Sequence, residues 1–180
     1  TGTGTVGLDQ LSEFSNRAGI AANNYLAAIG AGVRTVDKDG RDARWSGTSF
    51  AAPTISGAAA LLASAFPNLS GAQIVDILFR SADDLGATGT DSIFGRGRLN
   101  VGRAMQPIGT MSLAGSPDPI SSAGSDAPPA AGDAPISGAS IGAVILDGYS
   151  RAFAVDLVRT IRSAPRSEPL RRALGGTRRA

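Results

Sequence analysis

Gly47-Thr48-Ser49-Phe50-Ala51-Ala52-Pro53-Thr54-Ile55-Ser56-Gly57, continued by Ala58-Ala59-Ala60-Leu61-Leu62, is the stretch on which the reading of this chain turns. From Phe50 to about Phe66 the pattern is helical and apolar almost all round, with Gly57, Ala58, Ala59 and Ala60 offering small surfaces, which predicts a helix packed inside protein. Ser49 stands where that helix begins. Its N–H therefore points outward with the positive end of the helix dipole, a donor suited to a developing oxyanion. Gly47 lets an extended backbone approach the site and Thr48 shapes the turn. Pro53, four residues after Ser49, marks a helix start and removes at most the first intrahelical bond. A serine at a helix start is also an ordinary cap, and a serine hydroxyl is a weak nucleophile unless a positioned base, most often histidine, takes its proton. The 180 residues contain no histidine. Either Ser49 is not catalytic, or its base lies outside these residues.

Outward from this stretch, no charged residue occurs between Trp45 and Val75, a run of 31. Pro53, Pro67, the glycines and the many hydroxyl residues break it, and its apolar content is mostly alanine, so it reads as a helix in protein and not as a bilayer span. Charge is unevenly placed. Residues 1–150 carry net −4 and residues 151–180 net +6, including eight arginines, so the formal +2 describes a mildly acidic body with a basic tail. With no cysteine, disulfides and thiolate metal sites are excluded. The chain opens Thr1-Gly2-Thr3-Gly4 without an initiator Met or a signal-peptide pattern, which reads as a start inside a longer protein.

Val6–Phe14 and Tyr25–Ile29 have the look of short strands and loops in a mixed fold. Val33–Val36 and Ala43–Trp45 flank Asp39-Gly40, which predicts a hairpin. Ser70 with Gln73 forms a capping-box pattern, and Ile74, Ile77 and Leu78 then share one face of a second, amphipathic helix ending near Arg80. The glycines of Phe94-Gly95-Arg96-Gly97-Arg98-Leu99-Asn100 predict a tight approach to the body, followed by a short helix to Gln106. Residues 109–138 are mainly Gly, Ala, Ser, Pro and Asp, the composition of a flexible linker. Beyond it, Ile141–Leu146 and Arg151–Val158 read as paired strands joined at Asp147-Gly148. The last 20 residues are arginine-rich.

The eleven residues from Gly47 to Gly57, with Ala-Ala-Ala-Leu-Leu after them, closely resemble the catalytic-serine motif of the subtilisin family of serine proteases. Phe14-Ser15-Asn16, the Tyr25–Gly30 segment, Pro67, Ser70–Leu78 and Gly95-Arg96-Gly97-Arg98-Leu99-Asn100 extend the likeness over about residues 6–106, all in family order. Ile29 stands where the family usually has proline. The resemblance implies a three-layer α/β fold with a parallel sheet, of which 1–108 form the C-terminal part of the catalytic domain. Residues 109–138 are then a disordered linker, and 139–180 a β-hairpin segment with its arginine tail. It implies a serine endopeptidase with Ser49 as nucleophile and Gly47, Thr48 and Ser49 as the substrate and oxyanion loop. In that family the triad runs Asp, His, Ser along the chain, so chain order puts both partners, and the oxyanion asparagine, before Thr1. Asn16, Asn23 and Asn24 are read as structural. Polypeptide is the implied substrate.

Other motifs in the chain fit less well. A G-x-S-x-G hydrolase elbow fails because Ala51 replaces its last glycine and no histidine follows the serine. The sedolisins pair a similar serine with carboxylates, but Ala-Ala-Pro and the downstream pattern fit the subtilisin branch better. Gly2, Gly4 and Gly7 satisfy G-x-G-x-x-G without a preceding strand. Asp37, Asp39 and Asp42 around Gly40 lack the bidentate Glu of a calcium loop, so no metal or cofactor is assigned, although calcium occurs in the family. Lys38, the one lysine, sits in a polar turn, not beside Ser49. The arginine tail lacks interleaved aromatics, so no nucleic-acid partner is assigned. Residues 141–158 resemble the segment after the protease domain in exported bacterial autotransporter subtilases, which implies a secreted or cell-surface location and a downstream outer-membrane barrel. The rival class is a non-catalytic passenger module or a decayed protease domain of an exported surface protein.

Overall fold

A computed structural model describes residues 10–116, 119–120 and 142–156. The glycines at 2, 4 and 7, most of the linker and the arginine tail after 156 lie outside the described residues. So does the start of the expected Val6–Phe14 segment, whose described part, 10–14, forms no strand and runs into a turn in which the Ser15 N–H donates to the Ser12 carbonyl.

Local signals act first. After a 3-10 turn at Gly19–Asn24, strands β1 (Val33–Val36) and β2 (Asp42–Trp45) pair antiparallel, with Val33 opposite Trp45. Asp37 closes their turn: its carboxylate accepts the N–H groups of Asp39 and Arg41, and Gly40 takes φ 79°. Asp42 pairs with Arg34, and Asp39 with Lys38 and Arg41. The three aspartates are thus occupied with the hairpin itself.

Helix α1 runs Thr48–Ala65 and α2 Gly71–Arg80. The α2 capping box forms as its sequence predicts, with the Gln73 N–H donating to Ser70 Oγ and the Ser70 N–H donating to Gln73 Oε1. Ile74, Ile77 and Leu78 are its buried face. The expectation of a helix buried all round is corrected for α1. Only Ala58 and Leu62 are buried, because the described residues pack on one side of it, while Leu61 stays 54% exposed.

From α2 the chain loops back through Gly95 and Gly97 to a short helix α3 (Val101–Ala104), capped by Asn100, whose side chain accepts the Arg103 N–H. The close approach expected of the glycines is real. A Cβ on Gly97 would lie 2.2 Å from the Asp83 carbonyl oxygen, and one on Gly95 2.6 Å from that of Tyr25. Tyr25–Ala27 is thereby stitched to this loop, with Leu26 bridged to Gly95 and Ala27 to Arg98. The Ala27–Arg98 bridge is the parallel pairing among the described residues; every ladder between named strands there is antiparallel.

Composition places residues 109–138 in a linker, yet Met111–Leu113 form strand β3. It pairs with β4 (Pro119–Ile120) on one side and β5 (Gly142–Leu146) on the other, and β5 pairs with β6 (Ala152–Asp156). Met111 and Leu113 supply the apolar side chains that the rest of the segment lacks, and both pack against the core. The β5–β6 hairpin shares that core: Ile145 and Phe153 are buried with Ala58, Leu62, Phe66, Ile77, Leu78 and Ala104. The Phe66 and Phe153 rings lie 5.5 Å apart, tilted by 48°, a favoured aromatic arrangement.

Candidate active site

Ser49 is the second residue of α1 and is exposed to solvent. Gly47 caps the helix with an extended backbone, φ 164° and ψ 153°, and its carbonyl accepts the Phe50 N–H at 3.0 Å. The Ser49 N–H lies in the first helical turn, where amides have no intrahelical acceptor. Hydroxyl and amide donor therefore share one residue at the positive end of an 18-residue helix.

Two neighbouring backbones fix this loop. The Gly47 N–H donates to the Gly30 carbonyl at 2.8 Å, and the Gly32 N–H donates to Ser46 Oγ at 2.9 Å. Close contact at Gly30 is obligatory, since a Cβ there would lie 2.7 Å from the Gly47 carbonyl oxygen and 3.2 Å from the Ala51 Cβ. Gly47 in turn leaves room beside the hydroxyl: its missing Cβ would sit 3.3 Å from Ser49 Oγ. Sequence reading missed Gly30 as a positioning residue. Glycine is compatible with close backbone approach, but nothing in Ala28-Ile29-Gly30-Ala31-Gly32 says which backbone it meets.

Pro53 falls in the second turn, not at the helix start. It has no N–H to give the carbonyl four residues earlier, so the bond it removes is the one to Ser49, which corrects the expectation that at most the first bond is lost. Thr54 Oγ1 donates back to the Phe50 carbonyl at 3.1 Å in the same turn.

An open cleft of about 960 Å³ runs alongside, between the Leu11–Asn16 turn, the Tyr25–Gly32 segment and the α1 residues Ala51, Ala52 and Ile55. Thr48 reaches its wall and Ser49 stands outside it. The structure brings Gly47, Thr48 and Ser49 together with Gly30. Lys38 is not among them: its ammonium is held by Asp39 at 2.8 Å in the hairpin turn. Asn16 and Asn23 act through backbone carbonyls, accepting from Tyr25 Oη and Arg96 Nε. No cluster of three or more potential metal ligands occurs among the described residues.

A serine hydroxyl and a helix-start amide thus share one residue on a loop held by Gly30. The sequence model of the subtilase family matches residues 5–97, more than half of the chain. The chain belongs to the subtilase family. Its mixed helices and strands are those of a partial subtilisin-like α/β fold.

Among relatives, this subtilase is 40% identical over 103 residues to the autotransporter lipoprotein NalP of Neisseria meningitidis, a match covering 57% of this chain and 9% of that one. It is 48% identical over 56 residues to an extracellular serine protease of Serratia marcescens, covering 31% of this chain and 5% of the relative. The chain thus spans about a tenth or less of the length of these curated relatives. Among solved structures, MycP1 from Mycobacterium smegmatis is 29% identical over a stretch covering 42% of this chain and 22% of that one. Its TM-score is 0.35, so the assignment rests on the sequence matches.

Proposed function

We propose that this chain is the nucleophile-bearing part of a secreted or cell-surface serine endopeptidase. Ser49 Oγ attacks the scissile carbonyl carbon of a polypeptide and passes its proton to a base. The Ser49 N–H holds the oxyanion of the tetrahedral intermediate. Collapse breaks the C–N bond, the base returns its proton to the leaving amine, and water hydrolyses the acyl ester. The observation that carries this reading is the position of Ser49, exposed at the second residue of α1 with its loop fastened to Gly30.

The base and its partner are supplied by an Asp–His pair outside these 180 residues, which contain no histidine. It follows that the 180 residues by themselves do not turn over peptide bonds. Export is supported by relatives described as an autotransporter lipoprotein and an extracellular protease, and an outer-membrane barrel downstream belongs to the same proposal.

The test is active-site labelling of the full-length protein with a serine-reactive fluorophosphonate. Labelling and proteolysis are expected in the parent and abolished in Ser49→Ala. Labelling that persists in the variant, or a correctly folded parent that neither labels nor cleaves, overturns the assignment in favour of a non-catalytic module.

A further inference from the structure

The turn of the β5–β6 hairpin carries the most deeply buried charges among the described residues. Arg151 has no exposed surface and Asp147 is 6% exposed. The Arg151 guanidinium donates through Nε and Nη2 to Asp147 Oδ2, at 2.9 and 2.7 Å. The same group reaches out of the hairpin, donating through Nη1 to the Ala104 carbonyl and through Nη2 to that of Gln106, each at 2.6 Å. Its Cζ lies over the Phe66 and Phe153 rings, 5.0 and 5.3 Å from their centres. One side chain from the hairpin thus fills acceptors at and just after the end of α3 and places its charge over the ring of the residue that ends α1.

Asp147 makes the reciprocal connection. It accepts the N–H groups of Tyr149 and Arg151 within the turn, and that of Ile108 from the body at 3.0 Å. The Gly148 N–H donates to the Ile108 carbonyl, the Asn68 amide to the Ser150 carbonyl, and Arg80 to Tyr149 Oη, which also bonds to Asp76. Ile145 and Phe153 are buried in the common core, and β5 pairs with β3. None of these attachments runs through the covalent chain between β4 and β5.

We propose that the 142–156 hairpin is a clasp, held non-covalently on the end of α1 remote from Ser49. Cutting the chain between β4 and β5 does not release it, and polypeptide following Asp156 stays fastened to the helix that carries the serine. With 17 residue steps between Ser49 and Phe66 and 1.5 Å per step, the attachment is roughly 25 Å from the nucleophile. The proposal is independent of whether Ser49 is catalytic.

The test uses the full-length protein carrying Ser49→Ala to prevent self-cleavage, an N-terminal affinity tag, and a recognition site for a sequence-specific protease inserted between Ala131 and Gly132. After complete cleavage on resin, the C-terminal piece is expected to remain bound through native washes and to elute only in denaturant. Its loss in the first native wash overturns the clasp. Arg151→Lys keeps the charge but not the fork, and is expected to release the piece at least about tenfold faster. Tyr149→Phe removes only the surface bonds to Asp76 and Arg80 and leaves the core intact, with release about threefold faster expected. Retention equal to the parent's in both variants overturns the assignment.

Discussion

Gly30→Ala tests whether the backbone around Ser49 is held to the tolerance that catalysis demands. The added methyl would lie 2.7 Å from the Gly47 carbonyl oxygen, 0.7 Å inside the 3.4 Å at which ordinary contact begins. It would also press on the Ala51 Cβ, at 3.2 Å. Both neighbours belong to the nucleophile loop and the first turn of α1, so no flexible side chain can turn aside. The loop and the Gly30 segment must separate by up to that 0.7 Å, and Ser49, two residues beyond Gly47, moves with the loop. A displacement of about 1 Å costs roughly 100-fold in rate, so this one predicts a loss of about tenfold, or about 1.4 kcal/mol of transition-state stabilisation. The assay is the rate of fluorophosphonate labelling and the kcat for a peptide substrate in the full-length protein. On the proposed role of Ser49, a fall in kcat with KM little changed is expected, since the displaced groups would act on the transition state. Gly57→Ala is the control on the same helix. Nothing lies within 4 Å of its Cβ, so it should leave labelling unchanged and stabilise by about 0.4–1 kcal/mol. Labelling of Gly30→Ala at the parental rate would refute the positioning role.

Asp147→Ala leaves the Arg151 guanidinium buried without its counter-ion and is expected to cost about 3–5 kcal/mol, read as a Tm lower by roughly 6–20 °C. Adding Arg151→Met should recover part of that loss, and a single variant within 1 kcal/mol of the parent counts against the buried pair. Ser150, at φ 59°, is the one described non-glycine residue with positive φ; Ser150→Gly should raise stability by about 0.5–1 kcal/mol in denaturant titration. Asp83 is held below the usual carboxylate range by hydrogen bonds from the Asn100 amide and the Arg98 guanidinium, and Asp91 by the N–H groups of Phe94 and Ile93. Depressed carboxyls contribute stability that is present above about pH 4 and lost as pH falls through their folded-state values. Asn100→Ala should therefore shrink the acid-side loss of Tm, measured from about pH 5 down to pH 2, and an unchanged profile contradicts the account.

What was legible in the sequence was local. The Asp39-Gly40 turn, the Ser70–Gln73 box and the Ile74, Ile77, Leu78 face each depend on residues within a few positions of one another, and each forms as read. The position of Ser49 at a helix start was local too, although Pro53 sits one turn deeper than its spelling suggested. Gly30 was not legible, because its constraint comes from Gly47, 17 residues away, and no pattern within either segment records the meeting. Strand β3 was hidden for the same reason. Met111-Ser112-Leu113 is too short to stand out from its Gly- and Pro-rich surroundings, and the partner strand β5 begins 29 residues after Leu113.

Arg151 shows how far such a distant partner can change the meaning of a residue. By position it opens the arginine-rich end of the chain and counts toward the +6 of residues 151–180. In the fold it belongs to the core, with Asp147 neutralising its charge and the carbonyls of Ala104 and Gln106 taking two of its donors. A guanidinium has five N–H groups and is never deprotonated in proteins, so burial is tolerable only where anion and carbonyls arrive together. The sequence held half of that condition, an aspartate four residues before an arginine across an Asp-Gly turn between apolar strands. The other half comes from residues 104–108, about 40 positions upstream. The hairpin is therefore specified by what it docks against as much as by its own pattern, and a segment that reads as an appendage in sequence shares one core with the helix that carries Ser49.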